Sequence, residues 1–219
     1  MLAAVLSALA LAVPQVIVTG NAPCGAAAGF GSVWVANDGS GTLVRIDPRT
    51  DRVVGRVRVG RGACSTATGA GAVWVVNYRT DTLARIDPRT LGVRTVRVGD
   101  QPEDMIVAFG RTWVTAWQDG TLEAVDPATL SVVQRIDVCQ WPAGLAARPG
   151  SIWVGFGRDL TSIARVDRRT EAVTRIPVGT ARPAWFVSGT PDLWIQGPTP
   201  TWCTSTRSAE SCSVACTSG

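Results

Sequence analysis

The chain has 219 residues, 46% of them apolar and 17% charged, enough for one sizeable buried core and too apolar for a disordered segment. Its 21 basic residues, all arginine, face 17 acidic ones, so the net charge is only +4. It contains no histidine, which excludes within this chain Ser-His-Asp and Cys-His catalysis and the usual catalytic zinc site. Residues 1–13 form an uncharged apolar run too short to cross a bilayer as a helix. The run resembles the apolar part of a secretory signal, with small residues at Ala8 and Ala10, or Ala10 and Ala12, suited to cleavage, but it lacks a basic lead. Export is the expectation; a fragment boundary or an uncleaved anchor are the alternatives. Six cysteines fit an oxidising compartment.

From residue 14 to 197 the sequence repeats. Trp34, Trp74, Trp113, Trp153 and Trp194 are spaced 40, 39, 40 and 41 residues apart. The first four are followed by turns at Asp47, Asp87, Asp126 and Asp167, which read I-D-P-R-T, I-D-P-R-T, V-D-P-A-T and V-D-R-R-T. Residues 16–20 match the closing strand of a unit, because Gly20 lies 40 residues before Gly60. The first full repeat reads as four strands, 25–30, 32–37, 42–47 and 52–59, divided by Gly- and Pro-rich turns. Three further repeats and the start of a fifth follow the same plan. Four strands per period of about 40 residues is the pattern of a β-propeller blade. The predicted fold is therefore all-β, a β-propeller of four to five four-stranded blades, with a partial arc of a larger propeller as the alternative. Residues 198–219 lose the pattern and form an irregular tail with Cys203, Cys212 and Cys216. A strand over 201–206 would let residues 16–20 close a five-bladed ring.

Two kinds of recurring residue have structural explanations. The turn aspartates accept hydrogen bonds from amides two residues on. The five tryptophans suit the wedge between neighbouring blades. The arginines of the closing strands, including Arg56, Arg58, Arg94, Arg97, Arg135 and Arg175, read as a solvated outer edge rather than a nucleic-acid surface.

The units G-x-x-x-W-V-x-N, T-L-x-R-I-D-P-R-T and V-x-V-G resemble YVTN/YncE-like propeller repeats (a WD40-like architecture), and most closely the virginiamycin B lyase (streptogramin lyase) family. The resemblance covers residues 16–197. It implies a seven-bladed scaffold on which a catalytic His and a bound Mg²⁺ open a cyclic depsipeptide by elimination. This chain has no His to take that role, so no catalytic residue is carried over.

On a propeller, the loops entering each inner strand and those joining second to third strands share the face around the channel mouth, where ligands bind. That face collects Arg61, Arg79, Asp100, Glu103, Asp104, Trp117, Trp141 and Arg158. The run Asp100–Asp104 could hold Mg²⁺ or Ca²⁺ through oxygen ligands, or supply a base. Trp117 and Trp141, outside the tryptophan period, could stack on a planar ligand. Cys24 and Cys64 occupy equivalent places in adjacent blades, and the expectation is no bond, because such places are expected to lie beyond the ~7 Å that a disulfide spans. The expected function is an exported binding or interaction scaffold for a protein or small-molecule ligand, with no resident cofactor. The alternatives are a lyase-like enzyme using carboxylates and a divalent cation, or a non-functional partial product of a longer gene.

Overall fold

The computed structural model describes residues 16–157, 161–178, 185–187, 194–196 and 203–204. Among these residues every element is a β-strand, and each repeat folds into its own antiparallel meander. The first sheet contains β1 (Pro23–Gly29), β2 (Ser32–Asn37), β3 (Thr42–Asp47) and β4 (Arg52–Arg58). The second contains β5 (Ala63–Gly69), β6 (Ala72–Asn77), β7 (Thr82–Ile86) and β8 (Val93–Arg97). The third runs through β9 (Pro102–Ala108), β10 (Arg111–Ala116), β11 (Thr121–Asp126) and β12 (Ser131–Asp137). The fourth runs through β13 (Pro142–Arg148), β14 (Ser151–Phe156), β15 (Ser162–Asp167) and β16 (Val173–Pro177). A fifth, three-stranded sheet pairs β17 (Trp185–Val187), β18 (Trp194–Gln196) and β19 (Cys203–Thr204). The first strands of consecutive sheets lie side by side, β1 against β5, β5 against β9, β9 against β13 and β13 against β17. This is a β-propeller built of radial blades.

Local chemistry sets the turns. The first hairpin of each of the first three blades has a left-handed pair where I′ geometry demands it: Phe30 and Gly31, Ala70 and Gly71, Phe109 and Gly110; in the fourth, Pro149 precedes a left-handed Gly150. At the third hairpin, the amides of Asp51, Leu91, Leu130 and Glu171 each donate 2.9 Å bonds to the carbonyl of the turn aspartate four residues earlier. The carboxylates of Asp47, Asp87, Asp126 and Asp167 accept bonds of 2.8–2.9 Å from the amide two residues on. The amides of Thr90, Thr129 and Thr170, three residues on, donate to the same oxygens, and these bonds first, then those from two residues on, hold the Asp87, Asp126 and Asp167 carboxyls below the usual carboxylate range.

The core lies between blades. Trp34, fully buried, joins Val73, Val75, Ala84 and Ile86 of the second sheet in one cluster. Trp74 packs in the same way with Met105, Val114 and Val125, and Trp113 with Leu145, Ile152 and Val154. The indoles of Trp34 and Trp74 donate to Gly29 and Gly69 carbonyls at 3.1 and 3.0 Å, and Trp113 donates to Ala108 at 3.3 Å. Trp153 is partly exposed and packs beside Ala146, Ile163 and Phe186.

Two expectations need correction. Residues 16–20 form no strand and do not pair with β19. Gly20 nevertheless packs on Asn37 as Gly60 packs on Asn77, so the match between the two segments is one of position without pairing. Arg175 is not on a solvated edge. Its guanidinium lies 4.0 Å over the Phe156 ring and donates to Val138 O and Ser162 Oγ across the third and fourth blades.

Candidate functional site

A repeated irregularity shapes the mouth. In the inner hairpin of each of the first four blades the register slips by one residue near the start of the inner strand: between Pro23 and Ala26, Ala63 and Thr66, Pro102 and Met105, and Pro142 and Leu145. Each slip is a β-bulge with two residues opposite one, which re-aims side chains. The bulge pairs are Cys24 and Gly25, Cys64 and Ser65, Glu103 and Asp104, and Ala143 and Gly144. The first three pairs line one open cavity of about 580 Å³, together with Asp38 and Tyr78 from the loops after β2 and β6.

The loops are held by a repeated backbone bond. The amides of Asp38, Tyr78, Trp117 and Gly157 donate to the carbonyls of Ala22, Gly62, Gln101 and Trp141, respectively. All four acceptor residues are left-handed, with φ of 50°, 77°, 50° and 61°. Three of the four are not glycine, so this strain is carried to fix the mouth.

Asp104 is the pivot between blades. Its Oδ1 accepts from Ser65 Oγ at 2.8 Å, and its Oδ2 accepts from the Leu145 amide at 2.9 Å. Its own amide donates to Thr115 Oγ1 at 3.0 Å, and that hydroxyl donates to the Ala143 carbonyl at 2.9 Å. Burial pushes the Asp104 carboxyl above its ordinary range, against the pull of the Ser65 and Leu145 bonds. With both oxygens engaged, Asp104 acts as an interblade strut. Glu103 faces the same cavity, and its carboxyl is also raised, first by burial and then by the Asp104 charge.

Asp38 closes the other wall. Its Oδ2 accepts from Tyr78 Oη at 2.9 Å and lies 3.3 Å from Arg79 Nη2. Its Oδ1 is buried with no hydrogen-bond partner. Arg79 also donates to Tyr78 Oη at 3.0 Å, and this bond is the leading reason its basicity is raised.

Cys24 and Cys64 are joined by a disulfide, contrary to the expectation from their places in adjacent blades. Their Cα atoms are 4.9 Å apart, well within reach of a bridge. Glycine makes this approach possible: a Cβ on Gly25 would fall 2.1 Å from the Cys64 carbonyl oxygen.

The sequence-predicted mouth residues separate into groups. Glu103 and Asp104 share the cavity with each other but not with Asp100. The Asp100 residue is exposed, and its amide is held by Asp119 Oδ2 at 2.9 Å. Arg61 and Arg79 line a neighbouring polar cavity of about 560 Å³. Trp117 is half-buried one joint away, and a Cβ on Gly157 would meet its ring at 2.2 Å. Trp141 is also half-buried. Arg158 lies outside the described residues, as do residues 1–13 and most of 198–219. Among the described residues no three His, Cys, Asp or Glu side chains converge to hold a metal ion.

Sequence reasoning missed Ser65, the disulfide and Glu123. A usable signal existed for the first two: Cys24, Cys64 and Glu103 each lie four residues after Gly20, Gly60 and Gly99. Glu123 is fully buried and stands where Val44, Ala84 and Ala164 stand in the other blades. It accepts from the Gly99 amide at 3.1 Å and pairs with Arg135 at 2.6 Å.

No family model and no curated relative matches the sequence. Solved structures do match. A hydrazine synthase of Kuenenia stuttgartiensis aligns with TM-score 0.71 and 16% identity over 85% of this chain and 59% of that one. A streptogramin B lyase aligns with TM-score 0.71 and 16% identity over 80% of this chain and 62% of that one. A functionally unknown protein of Desulfotomaculum acetoxidans aligns with TM-score 0.69 and 14% identity over 87% of this chain and 71% of that one. The chain thus spans about three fifths of the first two. At these identities the likeness is one of fold, and the fold shared is the β-propeller.

Proposed function

We propose that the chain is an exported binding scaffold whose ligand sits in the bulge-lined cavity over the first three blades. The ligand in this reading presents positive charge or hydrogen-bond donors. The observation that carries it is the cavity of about 580 Å³ walled by Asp38, Glu103 and Asp104, with Asp38 Oδ1 buried and unpartnered. An unsatisfied carboxylate oxygen beside two further carboxyls favours a donor over an anion. The disulfide supports export, because such bonds persist in oxidising compartments.

A second reading keeps the same cavity and gives it chemistry. Glu103 makes no ion pair among the described residues, and its raised carboxyl suits a proton acceptor in elimination of the kind the streptogramin B lyase neighbour performs. One experiment addresses both readings. The purified chain is titrated calorimetrically with agmatine, arginine methyl ester and, as the anionic control, succinate. Separately it is incubated with a streptogramin B depsipeptide and Mg²⁺, followed by mass spectrometry. Saturable binding of the cations that Asp38→Asn weakens, with no linearised product, supports the scaffold. Linearisation abolished by Glu103→Gln supports the enzyme. Neither signal overturns both.

A further inference from the structure

The Cys24–Cys64 disulfide is part of the cavity wall, and Cys24 is exposed while Cys64 is half-buried. Three carboxylate side chains, Asp38, Glu103 and Asp104, line the same space. Arg79 lies on the neighbouring cavity, where it is held by Asp38 and Tyr78. The wall therefore offers an electrophilic sulfur inside a negatively charged enclosure. We propose that this disulfide is a thiol-exchange site selective for small cationic thiols, such as aminothiols.

The step balances without an external oxidant. The thiolate of the aminothiol attacks Sγ of Cys24, the more exposed of the two residues. The S–S bond breaks as the new S–S bond forms, and Cys64 leaves as a thiolate that takes a proton from water. A second aminothiol attacks the mixed disulfide, releases the disulfide of the aminothiol and leaves Cys24 as a thiol. The protein is then reduced by two electrons and two thiols are oxidised to one disulfide.

Selectivity follows from charge. An attacking thiolate is an anion, and the enclosure opposes it. An ammonium group on the same molecule offsets that penalty, whereas a second negative charge adds to it. The reaction is also reversible by construction. Thr68 Oγ1 donates to the Ala28 carbonyl at 2.8 Å, and Gly25 lies against the Cys64 carbonyl, so β1 and β5 stay apposed without the covalent bond. The reduced cysteines remain within bonding reach of one another.

This inference stands apart from non-covalent ligand binding: a cavity that retains no agmatine can still show the exchange order, and the reverse also holds. The test uses the full chain with cysteamine, 2-mercaptoethanol and 3-mercaptopropionate at equal thiolate concentrations. Each rate is normalised to the same thiol's rate with hydroxyethyl disulfide. Samples are quenched by alkylation and mapped by peptide mass spectrometry, which separates Cys24 and Cys64 from the other cysteines. Cysteamine should react at least about tenfold faster than 3-mercaptopropionate at low ionic strength. The gap should shrink toward unity in ~1 M salt, and the first mixed disulfide should map to Cys24. Glu103→Gln should narrow the gap, and the salt series decides the matter alone where that variant does not fold. Equal normalised rates, a faster anionic thiol, first modification at Cys64, or a disulfide inert to cysteamine would overturn the proposal.

Discussion

Asp104 gives the sharpest separation between a strut and a reactive group. Replacing it with alanine removes the acceptor for Ser65 Oγ and for the Leu145 amide. The hydroxyl can turn to water, but the amide belongs to the next blade and loses its partner. Two bonds to a charged acceptor and one orphaned amide amount to a loss of about 2–4 kcal/mol. Asparagine behaves differently. Its carbonyl can accept from Leu145, and its NH₂ can donate to a reoriented Ser65 hydroxyl, so Asp104→Asn should stay within about 1 kcal/mol of the wild type. The two variants also differ from the parent in pH dependence. Burial raises the folded-state pKa of Asp104, so the folded chain binds more protons than the unfolded chain above the ordinary carboxylate value. That contribution is fully present below the unfolded pKa of about 4 and is lost as pH rises through the folded value. Asp104→Asn removes the slope, and its stability relative to wild type should improve from about pH 4 to neutrality. Urea denaturation followed by tryptophan fluorescence across that range measures both effects. An alanine variant within ~0.5 kcal/mol of wild type, or an asparagine variant as damaging as alanine, would refute the strut.

Four further outcomes follow from the same geometry. Trp74→Ala empties a fully buried joint between the second and third blades and should cost about 3–5 kcal/mol, read from the urea midpoint. The double substitution Cys24→Ser and Cys64→Ser opens a link of sequence separation 40 and should cost up to ~4 kcal/mol by the same measurement. Alanine at Asp87, Asp126 and Asp167 together should lower stability at neutral pH. Their folded pKa values are depressed, so that contribution exists above the unfolded pKa and vanishes as pH falls through the folded values; the gap from wild type should close in acid, as seen in pH-dependent melting curves. Glu123→Ala should cost about 1–3 kcal/mol by freeing the Gly99 amide, read from the urea midpoint.

The architecture was legible because its causes are local and repeated. A turn aspartate bonding amides two residues on, a left-handed pair at a hairpin and a tryptophan every 39–41 residues are all written within one period. The site was only half legible. Glu103 and Asp104 could be placed at the mouth from the period, but the bulge that turns both into one cavity has no sequence signature: Cys-Gly, Cys-Ser, Glu-Asp and Ala-Gly all adopt it. The disulfide was misjudged because the spacing of inner strands depends on what lies between them. Gly25 places nothing there, and the strands close to 4.9 Å between the cysteine Cα atoms. Asp100 was grouped with Glu103 by proximity in sequence, yet the intervening left-handed Gln101 sends the two in different directions.

Trp34, Trp74 and Trp113 are each donated by one sheet and enclosed by the next. None of the first three sheets therefore owns a complete interior; part of it belongs to the next sheet. Melting of any single sheet strips the cover from the one before it, which couples the units into a single cooperative transition. The same sharing makes the joint modular: a tandem copy of about 40 residues would arrive carrying one plug and one socket, already matched to the parts on either side.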